Sequence, residues 1–447
     1  MSEQVFGSRK EDESQLYGET EIHESGRTEK EISTFYLWFA SNLTIADFAL
    51  GFLPIEFGMS ITSSIIALAI GNIAGGILLA LMSTMGPKAG FPQMIIGMKP
   101  MGRLPGRIMS VLQWSNTGGW LTVNIVIASL ALTTAFSGLN YILSIALSVV
   151  VVAIAAFLGG KAIHRFERIM SFVLGIMFAF VTIFSLSKMN VLASYSPSHV
   201  LPEYAAFGTT VAVSFSYIMS WSPYASDYSR YISSRKSGRK VFAYTFIGGA
   251  VASFWLEAAG LLVAIISGRP SGNPAGDLNS ILGGFGVIGM LALFLGGLSA
   301  NSLNLYSNSV SLKAVGVKMK RTTLVVIVSI IVMALAIIGY VTFYDFYETF
   351  LLILDYWITP WIGVVAADFF IANRGKKFSL SSIVPVNRTG VASYIVAILV
   401  SVPFMNPPVN FIGPIAQLLG GVDISYFVSF GVAVLLYTGL SKRHESN

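Results

Sequence analysis

The residues best suited to chemistry in this sequence lie inside stretches that are otherwise apolar. One such stretch, Ser216 to Tyr231, reads SYIMSWSPYASDYSRY and combines aromatic rings with many hydroxyl groups and a proline. At membrane depth, backbone groups freed by a proline and a high density of hydroxyls are tolerated only where they face protein or line a wet cavity. The pattern predicts a broken helix that forms half of a binding site, with an ordinary proline-kinked helix as the alternative.

A second interrupted stretch, Trp38 to Gly51, reads WFASNLTIADFALG and places polar groups in the middle of an apolar run. Asp47 is the most informative of them, because acids at membrane depth are by default functional, in ion or proton coupling. Glu257, in the apolar stretch FWLEAAG, has a similar status. We expect Asp47 or Glu257 to take part in coupling, with a simply solvated acid near a helix end as the alternative.

A third stretch, Asn116 to Asn124, reads NTGGWLTVN and contains a tryptophan beside two glycines. Thr117 precedes Trp120 by three residues and Asn124 follows it by four, so all three side chains share one helix face. An aromatic plate beside hydroxyl and amide groups suits a flat heterocycle. The alternative is a helix contact through small residues, since glycine pairs are common at membrane packing interfaces.

A fourth stretch, Gly296 to Ser311, reads GGLSANSLNLYSNSVS and carries too many polar groups for a helix that faces lipid. Its neutral oxygens could bind a monovalent cation together with unwound backbone carbonyls of the second stretch, whereas a divalent ion lacks a carboxylate cluster. Hydrogen bonding between helices is the alternative. The candidates for cation coupling, besides the two acids, are Asn42, Ile45, Ser299 and Ser302.

Composition places these stretches in a polytopic membrane protein. Of 447 residues, 54% are hydrophobic and 11% are charged, against about 25% charged residues in a soluble domain. The chain has no cysteine and four scattered histidines, which excludes thiol chemistry and a histidine metal cluster. No catalytic dyad or nucleotide-binding loop stands in a cytoplasmic segment. We therefore expect neither an enzyme nor a cofactor, apart from a sodium ion at Ser299 as one of the coupling alternatives.

Apolar runs of about 20 residues, the length of a membrane span, repeat along the chain. The predicted spans cover residues 34–57, 59–84, 107–134, 139–158, 168–188, 205–232, 240–267, 284–312, 322–342, 346–371, 389–405 and 424–440. Basic residues cluster in the loops that follow even-numbered spans, so the positive-inside rule places both termini in the cytoplasm. We expect a multi-pass protein of the plasma membrane, with a polar, disordered cytosolic tail over residues 1–33.

The span count allows an internal repeat. If spans 1 to 5 (residues 34–188) and spans 6 to 10 (residues 205–371) are copies of one unit, an odd number of helices per copy forces opposite topology. Inverted repeats carry interrupted helices at corresponding places, and the first two interrupted stretches described above fall in spans 6 and 1. The predicted fold is all-α, with twelve transmembrane helices in a five-plus-five inverted repeat followed by two helices over residues 389–440.

Four segments together resemble the nucleobase:cation symporter-1 family, and more closely its purine-cytosine permease branch. They are the residues from Trp38 to Gly71, NTGGWLTVN, SWSPYASDYSRY and LSANSLNLYSNSVSLKAVG, in spans 1, 3, 6 and 8. The resemblance covers nearly the whole chain, including YETFLLILDYWITPWIGVVAADFF in span 10. It implies the five-plus-five fold also found in sodium-coupled amino-acid transporters, with two extra helices.

The resemblance also implies roles for individual residues. Trp120 becomes the plate on which a base stacks, and Thr117 stands where cytosine permeases often carry Gln. In span 8 the sodium-coupled members place two adjacent hydroxyl residues on the ion, whereas this chain has Ser299 followed by Ala300, which favours a proton carried by one of the two acids. The residues expected around the substrate are Thr117, Trp120, Asn124, Tyr217, Ile218, Ser220, Trp221 and Asn304.

The implied function is secondary active import of a nucleobase, cytosine or a purine, by a symporter that works by alternating access with a proton or sodium gradient. The alternatives on this fold are a carrier of amino acids or of another small heterocycle, such as a hydantoin, allantoin or a vitamin precursor. A passive channel is disfavoured because neither a filter-like repeat nor a charged ring is present. The expected partners are the small molecule, the monovalent cation or proton and the lipid bilayer; we expect a monomer and no nucleic acid.

Overall fold

The computed structural model of the chain is built almost entirely from helices. It describes residues 20–136, 138–158, 160–268, 273–339, 343–407 and 411–445. Within these ranges, extended structure is limited to an isolated parallel bridge between Glu29 and Ile232. The predicted all-α class is confirmed.

Each predicted span coincides with one or more helices. Span 1 comprises the helices Ser33–Asn42, Ile45–Leu50 and Leu53–Glu56. Spans 2 to 5 are, in order, the single helices Ile61–Ser83, Arg103–Ala135, Tyr141–Leu158 and Gly160–Leu186. Span 6 comprises Glu203–Met219, Ser222–Tyr224 and Ala225–Ser229. Span 7 comprises Gly238–Phe246, Ile247–Val251 and Ala252–Ser267, and span 8 is Gly286–Val315. Span 9 is Arg321–Gly339, and span 10 comprises Phe343–Ala367 and Asp368–Ala372. Span 11 comprises Arg388–Ser401 and Val402–Phe404, and span 12 is Ser425–Glu445. Residues 340–342, the predicted end of span 9, lie outside the described residues. The connecting segments include the short helices Met85–Ala89, Gln93–Met101, Met189–Ala193, Pro274–Leu282 and Pro414–Leu418.

Length and apolar composition qualify seven helical segments of the described chain as membrane spans. The bent pair Ser33–Asn42 and Ile45–Glu56, with 56° between its halves, adds an eighth. Two shorter apolar helices, Tyr141–Ile154 and Arg388–Phe404, fall in spans 4 and 11. The multi-pass helical architecture is therefore confirmed, whereas the total of twelve and the twofold relation between the two halves stay predictions.

Both predicted interruptions are present. In span 1 the first helix ends at Asn42, and the hydroxyl of Thr44 starts the next one by accepting a hydrogen bond from the backbone N–H of Asp47 at 3.2 Å. A threonine at this position satisfies one of the donors left free at a helix start. In span 6 the helix ends at Met219, and a 3₁₀ turn that contains Pro223 precedes the next helix. Both breaks are buried, so their free backbone groups lie inside the bundle rather than in lipid.

Span 8 runs through the interior of the bundle. Its serine and asparagine side chains between Ser299 and Ser311 are all buried, and the span packs against spans 1, 3 and 5. Gly296 brings its backbone against the break in span 1, because a Cβ there would lie only 2.0 Å from the carbonyl oxygen of Leu43. The prediction that the polar stretch of span 8, Gly296 to Ser311, is buried in the bundle is confirmed.

Spans 1 and 7 contact each other backbone to backbone through two glycines. A Cβ added to Gly260 would lie 2.0 Å from the carbonyl oxygen of Phe48, and one added to Gly51 would lie 1.9 Å from that of Glu257. Because backbone atoms cannot move aside cheaply, we expect Gly260→Ala to destabilise the fold by about 1–3 kcal/mol.

The matched control is Gly431→Ala in span 12, where an added Cβ would meet nothing within 4 Å among the described residues. Thermal unfolding of the purified proteins measures both variants. The midpoint should fall for Gly260→Ala alone, since alanine in open space on a helix is, if anything, stabilising. Equal midpoints for the two variants would contradict the close contact of spans 1 and 7.

Part of the predicted cytosolic tail is packed against the protein. Residues 1–19 lie outside the described residues, but residues 20–32 run along the ends of spans 2 and 6. The backbone N–H of Glu29 donates to the carbonyl of Tyr231 at 3.0 Å, and the Arg27 guanidinium donates to the carbonyl of Pro87 at 2.7 Å. The polar composition of this segment was the reason to predict disorder. In the structure, its residues form hydrogen bonds with the backbone of the bundle.

Candidate functional site

Trp120 lies in the middle of span 3 with 3% of its surface exposed. Among the described residues, two rings meet it edge-on: Tyr217 of span 6 at 5.4 Å between centroids and 88° between planes, and Phe350 of span 10 at 5.3 Å and 73°. Such T-shaped contacts are favourable for aromatic pairs and fix the orientation of the indole. Gly119 allows the approach of Phe350, because a Cβ there would lie 2.5 Å from its ring. We call Trp120, Tyr217 and Phe350 the aromatic cluster.

Tyr217 connects the aromatic cluster to the break in span 1. Its hydroxyl lies 2.9 Å from the hydroxyl of Thr44, the residue that starts the second half of that span. Tyr217 itself lies in the last turn before the break in span 6. The two interrupted helices therefore meet beside Trp120, and a ligand against the indole would be close to both.

Amide side chains of spans 3 and 8 extend the same region. Asn124 donates from Nδ2 to Oδ1 of Asn301 at 3.2 Å, and Asn304 donates to the same oxygen at 3.3 Å. Thr117 accepts a hydrogen bond from Nδ2 of Asn308 at 2.9 Å. The structure thus places the predicted residues Thr117, Asn124 and Asn304 in two sets of hydrogen bonds between spans 3 and 8, Thr117 in one and the two asparagines in the other.

Several amide atoms in this region keep unused hydrogen-bonding capacity. The Oδ1 atoms of Asn116, Asn124 and Asn308 and the Nε2 atom of Gln113 are buried without a hydrogen-bond partner among the described residues. A buried polar atom without a partner costs about 1–3 kcal/mol, so a region that keeps several of them is a candidate for ligand contacts. A heterocycle with ring N–H groups and carbonyls could satisfy donors and acceptors together.

The three other residues predicted beside the substrate contact different parts of the bundle, and their role in binding stays a prediction. The side chain of Ile218 turns towards spans 2 and 7, where it lies against two glycines. The Ser220 hydroxyl donates to a backbone carbonyl three residues earlier in its own helix at 2.7 Å. Trp221 packs edge-on against Trp38 at 5.5 Å. Ile218 directly follows Tyr217, and successive residues of a helix point about 100° apart. Tyr217 therefore faces Trp120 while Ile218 faces spans 2 and 7.

The predicted coupling acids Asp47 and Glu257 lie together behind the break in span 1. Both are fully buried, and their carboxyl groups are close enough to interact directly. Asp47 accepts a hydrogen bond from the hydroxyl of Ser253 at 2.8 Å, and Glu257 accepts from the hydroxyl of Ser214 at 2.8 Å and from the amide of Asn72. All these partners are neutral. Two such carboxyl groups can share a proton, whereas two unpaired negative charges would be costly to bury.

Another buried carboxyl group, that of Glu167 in span 5, is a feature that the sequence pattern did not reveal. It accepts hydrogen bonds from the hydroxyl of Ser302 at 2.8 Å and from the hydroxyl of Ser299. The predicted span began at residue 168 and left Glu167 in a basic loop, whereas the helix begins at Gly160. A usable signal was its spacing: Glu167 follows His164 by three residues and precedes Ser171 by four, so the three side chains share one helix face.

The candidate cation ligands are brought together in part. The hydroxyls of Ser299 and Ser302 are both engaged by Glu167, so a sodium ion there would have a carboxyl group as its neighbour. Asn42 keeps its buried Oδ1 without a hydrogen-bond partner among the described residues, and Ile45 is buried at the first position of the second half of span 1. In the described part of the chain, no group of three or more His, Cys, Asp or Glu side chains could hold a metal ion.

Phe350, Asn301 and Asn308 belong to this region although they were not among the predicted substrate residues. The two asparagines carried a signal, because Asn301, Asn304 and Asn308 recur at intervals of three and four residues and so share one face of span 8. No feature of the sequence indicated Phe350, because span 10 contains many aromatic residues and its sequence does not reveal which ring faces the interior.

Comparison with known proteins supplies the family. The model of the family described as "Permease for cytosine/purines, uracil, thiamine, allantoin" matches residues 21–429. The chain is 25% identical over 425 residues to YxlA of Bacillus subtilis, which is named as a purine-cytosine permease, covering 91% of this chain and 92% of that one. It is also 25% identical over 434 residues to the purine-cytosine permease FCY21 of Saccharomyces cerevisiae, covering 90% of this chain and 81% of that one.

A solved structure supports the fold independently. Mhp1, described as a nucleobase-cation-symport-1 family transporter in a closed conformation with bromovinylhydantoin bound, superposes with a TM-score of 0.79 at 18% identity. The match covers 95% of this chain and 94% of that one. Because the family model matches most of the chain, the resemblance inferred from the residues is confirmed: the protein is a transporter and not an enzyme, and it belongs to the family of permeases for cytosine/purines, uracil, thiamine and allantoin.

Proposed function

We propose that this permease is a secondary active symporter that imports a nucleobase, with cytosine and the purines as the leading candidates. The observation that carries the proposal is the aromatic cluster, where the Trp120 indole is held by two rings beside the breaks of spans 1 and 6. The buried amide atoms of spans 3 and 8 that have no hydrogen-bond partner among the described residues supply three acceptors and one donor that the edge of a base could use. The names of the relatives point to the same class of substrate.

An amino-acid carrier fits this region less well. None of the side chains that form the aromatic cluster and its amide network carries a charge, so an amino-acid carboxylate would find no cationic side chain among them. Another neutral heterocycle is the second candidate. It is favoured by the family description, which includes allantoin, and by the bromovinylhydantoin bound to Mhp1.

We further propose that the coupling ion is a proton. Asp47, Glu257 and Glu167 are fully buried, and no ion pair joins any of them to another described residue. A buried carboxyl group without a cation is least costly when it is neutral, and it can then release its proton when the region opens to the other side of the membrane. Coupling to a sodium ion at Ser299 is the alternative. Uptake driven by a pH gradient, compared with uptake driven by a sodium gradient, distinguishes the two ions.

The proposed transport cycle is alternating access around the broken helices. Thr44 and Tyr217 join the two breaks through one hydrogen bond between side chains, so a ligand at the aromatic cluster could influence both at once. We propose a monomer in the plasma membrane with both termini in the cytoplasm, as the distribution of basic loops predicts.

Competition for uptake tests the substrate class. Cells that express the protein should take up labelled cytosine or adenine, and an excess of unlabelled nucleobases should reduce this uptake, because they compete for the same aromatic cluster. Amino acids in equal excess should have no effect. Competition by amino acids alone would contradict a nucleobase site, and competition by hydantoins or allantoin without nucleobases would favour the second candidate.

A further inference from the structure

Span 10 contains a buried acid that the proposed transport cycle does not use. Asp355 is 1% exposed, and both of its carboxyl oxygens are buried without a hydrogen-bond partner among the described residues. No ion pair joins it to another described residue. Each buried polar atom that lacks a partner costs about 1–3 kcal/mol, so two such atoms on one carboxyl group require a physical reason.

The polar groups around Asp355 are neutral or acidic. Span 6 contributes the hydroxyl of Ser216, which is close enough to interact with the carboxyl group but does not have the geometry of a hydrogen bond to it. Span 10 itself contributes Tyr356, and span 12 contributes Tyr426 and, two residues before its start, Asp423. In the described part of the chain, the other elements packed against span 10 contribute no charged group that acts on Asp355. These surroundings disfavour a negative charge on it.

The neighbouring acid Asp423 is held in the opposite way. One of its oxygens accepts hydrogen bonds from the backbone N–H and the hydroxyl of Ser425, at 2.9 and 2.6 Å. The other accepts from the hydroxyl of Tyr356 at 2.6 Å and from the backbone N–H of Asn406 at 2.7 Å. Four donors on two oxygens suit an ionised carboxylate, which only accepts. Because a second negative charge beside it would be repelled, Asp355 is least costly as a neutral acid.

Asp355 lies close to the aromatic cluster along two spans. In span 6, Ser216 directly precedes Tyr217. In span 10, Phe350 lies five residues before Asp355 in the same helix, about 7.5 Å away along its axis. One helix therefore places Phe350 against Trp120 and Asp355 against span 6. A movement of span 10 away from the bundle would separate both contacts together.

We propose that Asp355 takes up a proton when span 10 packs against span 6 and brings Phe350 to Trp120. An aspartic acid that meets water is ionised at neutral pH, whereas the closed arrangement holds Asp355 away from water and beside another acid. Closure over a ligand is then linked to the binding of one proton, so an acidic medium favours the closed, ligand-bound form. This inference rests on the proposed substrate site at the aromatic cluster, and it concerns a proton bound in addition to any held by Asp47 and Glu257.

The test counts the protons that the purified, full-length protein takes up when it binds cytosine or adenine, at about pH 8, where an exposed aspartate is ionised. Calorimetry in buffers of different ionisation enthalpy gives this number. The variant Asp355→Asn has no carboxyl group at this position to protonate, so it should take up about one proton fewer than the unmodified protein. For each pH unit above neutrality, the affinity of the unmodified protein should fall about tenfold relative to that of the variant.

The matched control is Asp368→Asn, near the other end of the same span. Asp368 is also buried, but its carboxyl group accepts hydrogen bonds from the hydroxyl of Tyr437 and the amide of Asn373, both at 2.7 Å. It also lies 4.0 Å from the ammonium of Lys99. Because Asp368 has these partners and lies outside the contact of span 10 with span 6, its variant should take up as many protons as the unmodified protein.

Equal proton uptake by Asp355→Asn and the unmodified protein would overturn the proposal. If the asparagine variant does not fold, Asp355→Ser, which also lacks a carboxyl group, gives the same comparison. A loss of thermal stability with unchanged proton uptake would make Asp355 a packing residue and would likewise overturn the proposal. Failure of both bases to bind the unmodified protein would contradict the proposed substrate class, and this inference would fall with it.

Discussion

Replacing Trp120 with alanine is expected to weaken substrate binding roughly ten- to a hundredfold. A base that stacks on the Trp120 ring gains about 1–3 kcal/mol of binding free energy, which the alanine variant would lose. Each 1.4 kcal/mol corresponds to a factor of ten in affinity. Trp120→Phe should recover part of the loss, because it restores a smaller ring in the same position. The dissociation constant of the purified protein for the transported base measures both effects.

The control for this prediction is Trp255→Ala. Trp255 is partly buried, and its indole donates to the hydroxyl of Thr182 at 3.0 Å, between spans 7 and 5. Its removal deletes an indole of the same size outside the aromatic cluster, so affinity should not change. If Trp120→Ala lowered expression and thermal stability but left the dissociation constant unchanged, Trp120 would be a packing residue and the site in span 3 would have to be given up.

Glu257→Gln is expected to abolish proton-driven accumulation while binding persists. The amide can keep hydrogen bonds with Ser214 and Asn72, but it cannot take up and release a proton. A pH gradient of one unit supports about tenfold accumulation per proton transported, since it corresponds to about 1.4 kcal/mol. In proteoliposomes with such a gradient, the accumulation ratio should fall to about one in the variant, while exchange of internal for external substrate continues.

The control is Glu203→Gln, at the start of span 6. Glu203 is exposed and accepts a hydrogen bond from the hydroxyl of Ser63 at 2.8 Å, so its removal takes away one carboxyl group without touching the buried acids. Accumulation should be unchanged in this control. Undiminished accumulation by Glu257→Gln would exclude Glu257 as the proton carrier and leave Asp47 and Glu167 to be tested in the same way.

The two broken helices could be predicted from sequence because they violate the chemistry of a lipid-facing helix. Pro223 and the clustered hydroxyls of span 6, like Asn42 and Asp47 in span 1, are costly in hydrocarbon wherever they are placed. The same argument predicted that span 8 is buried. These conclusions depend on local composition alone, which the sequence contains in full.

Features that depend on the neighbours of a helix were harder to predict. Ile218 is adjacent to Tyr217 in the chain, but it faces spans 2 and 7 because one residue of helix is a turn of about 100°. Glu167 stands between the basic residues Arg165 and Arg168, a pattern typical of a cytoplasmic loop. Its burial depends on the hydroxyls that span 8 presents to it, and the sequence of span 5 indicates only that Glu167 shares a helix face with His164 and Ser171.

Gradient-driven uptake into proteoliposomes tests the central claim most directly. With the interior one pH unit more alkaline, the account predicts roughly tenfold accumulation of a labelled nucleobase, at one proton per substrate. This accumulation should be equal in sodium and in choline buffers, and a protonophore should collapse it. No accumulation under the pH gradient, with accumulation under an inward sodium gradient at constant pH, would contradict proton coupling.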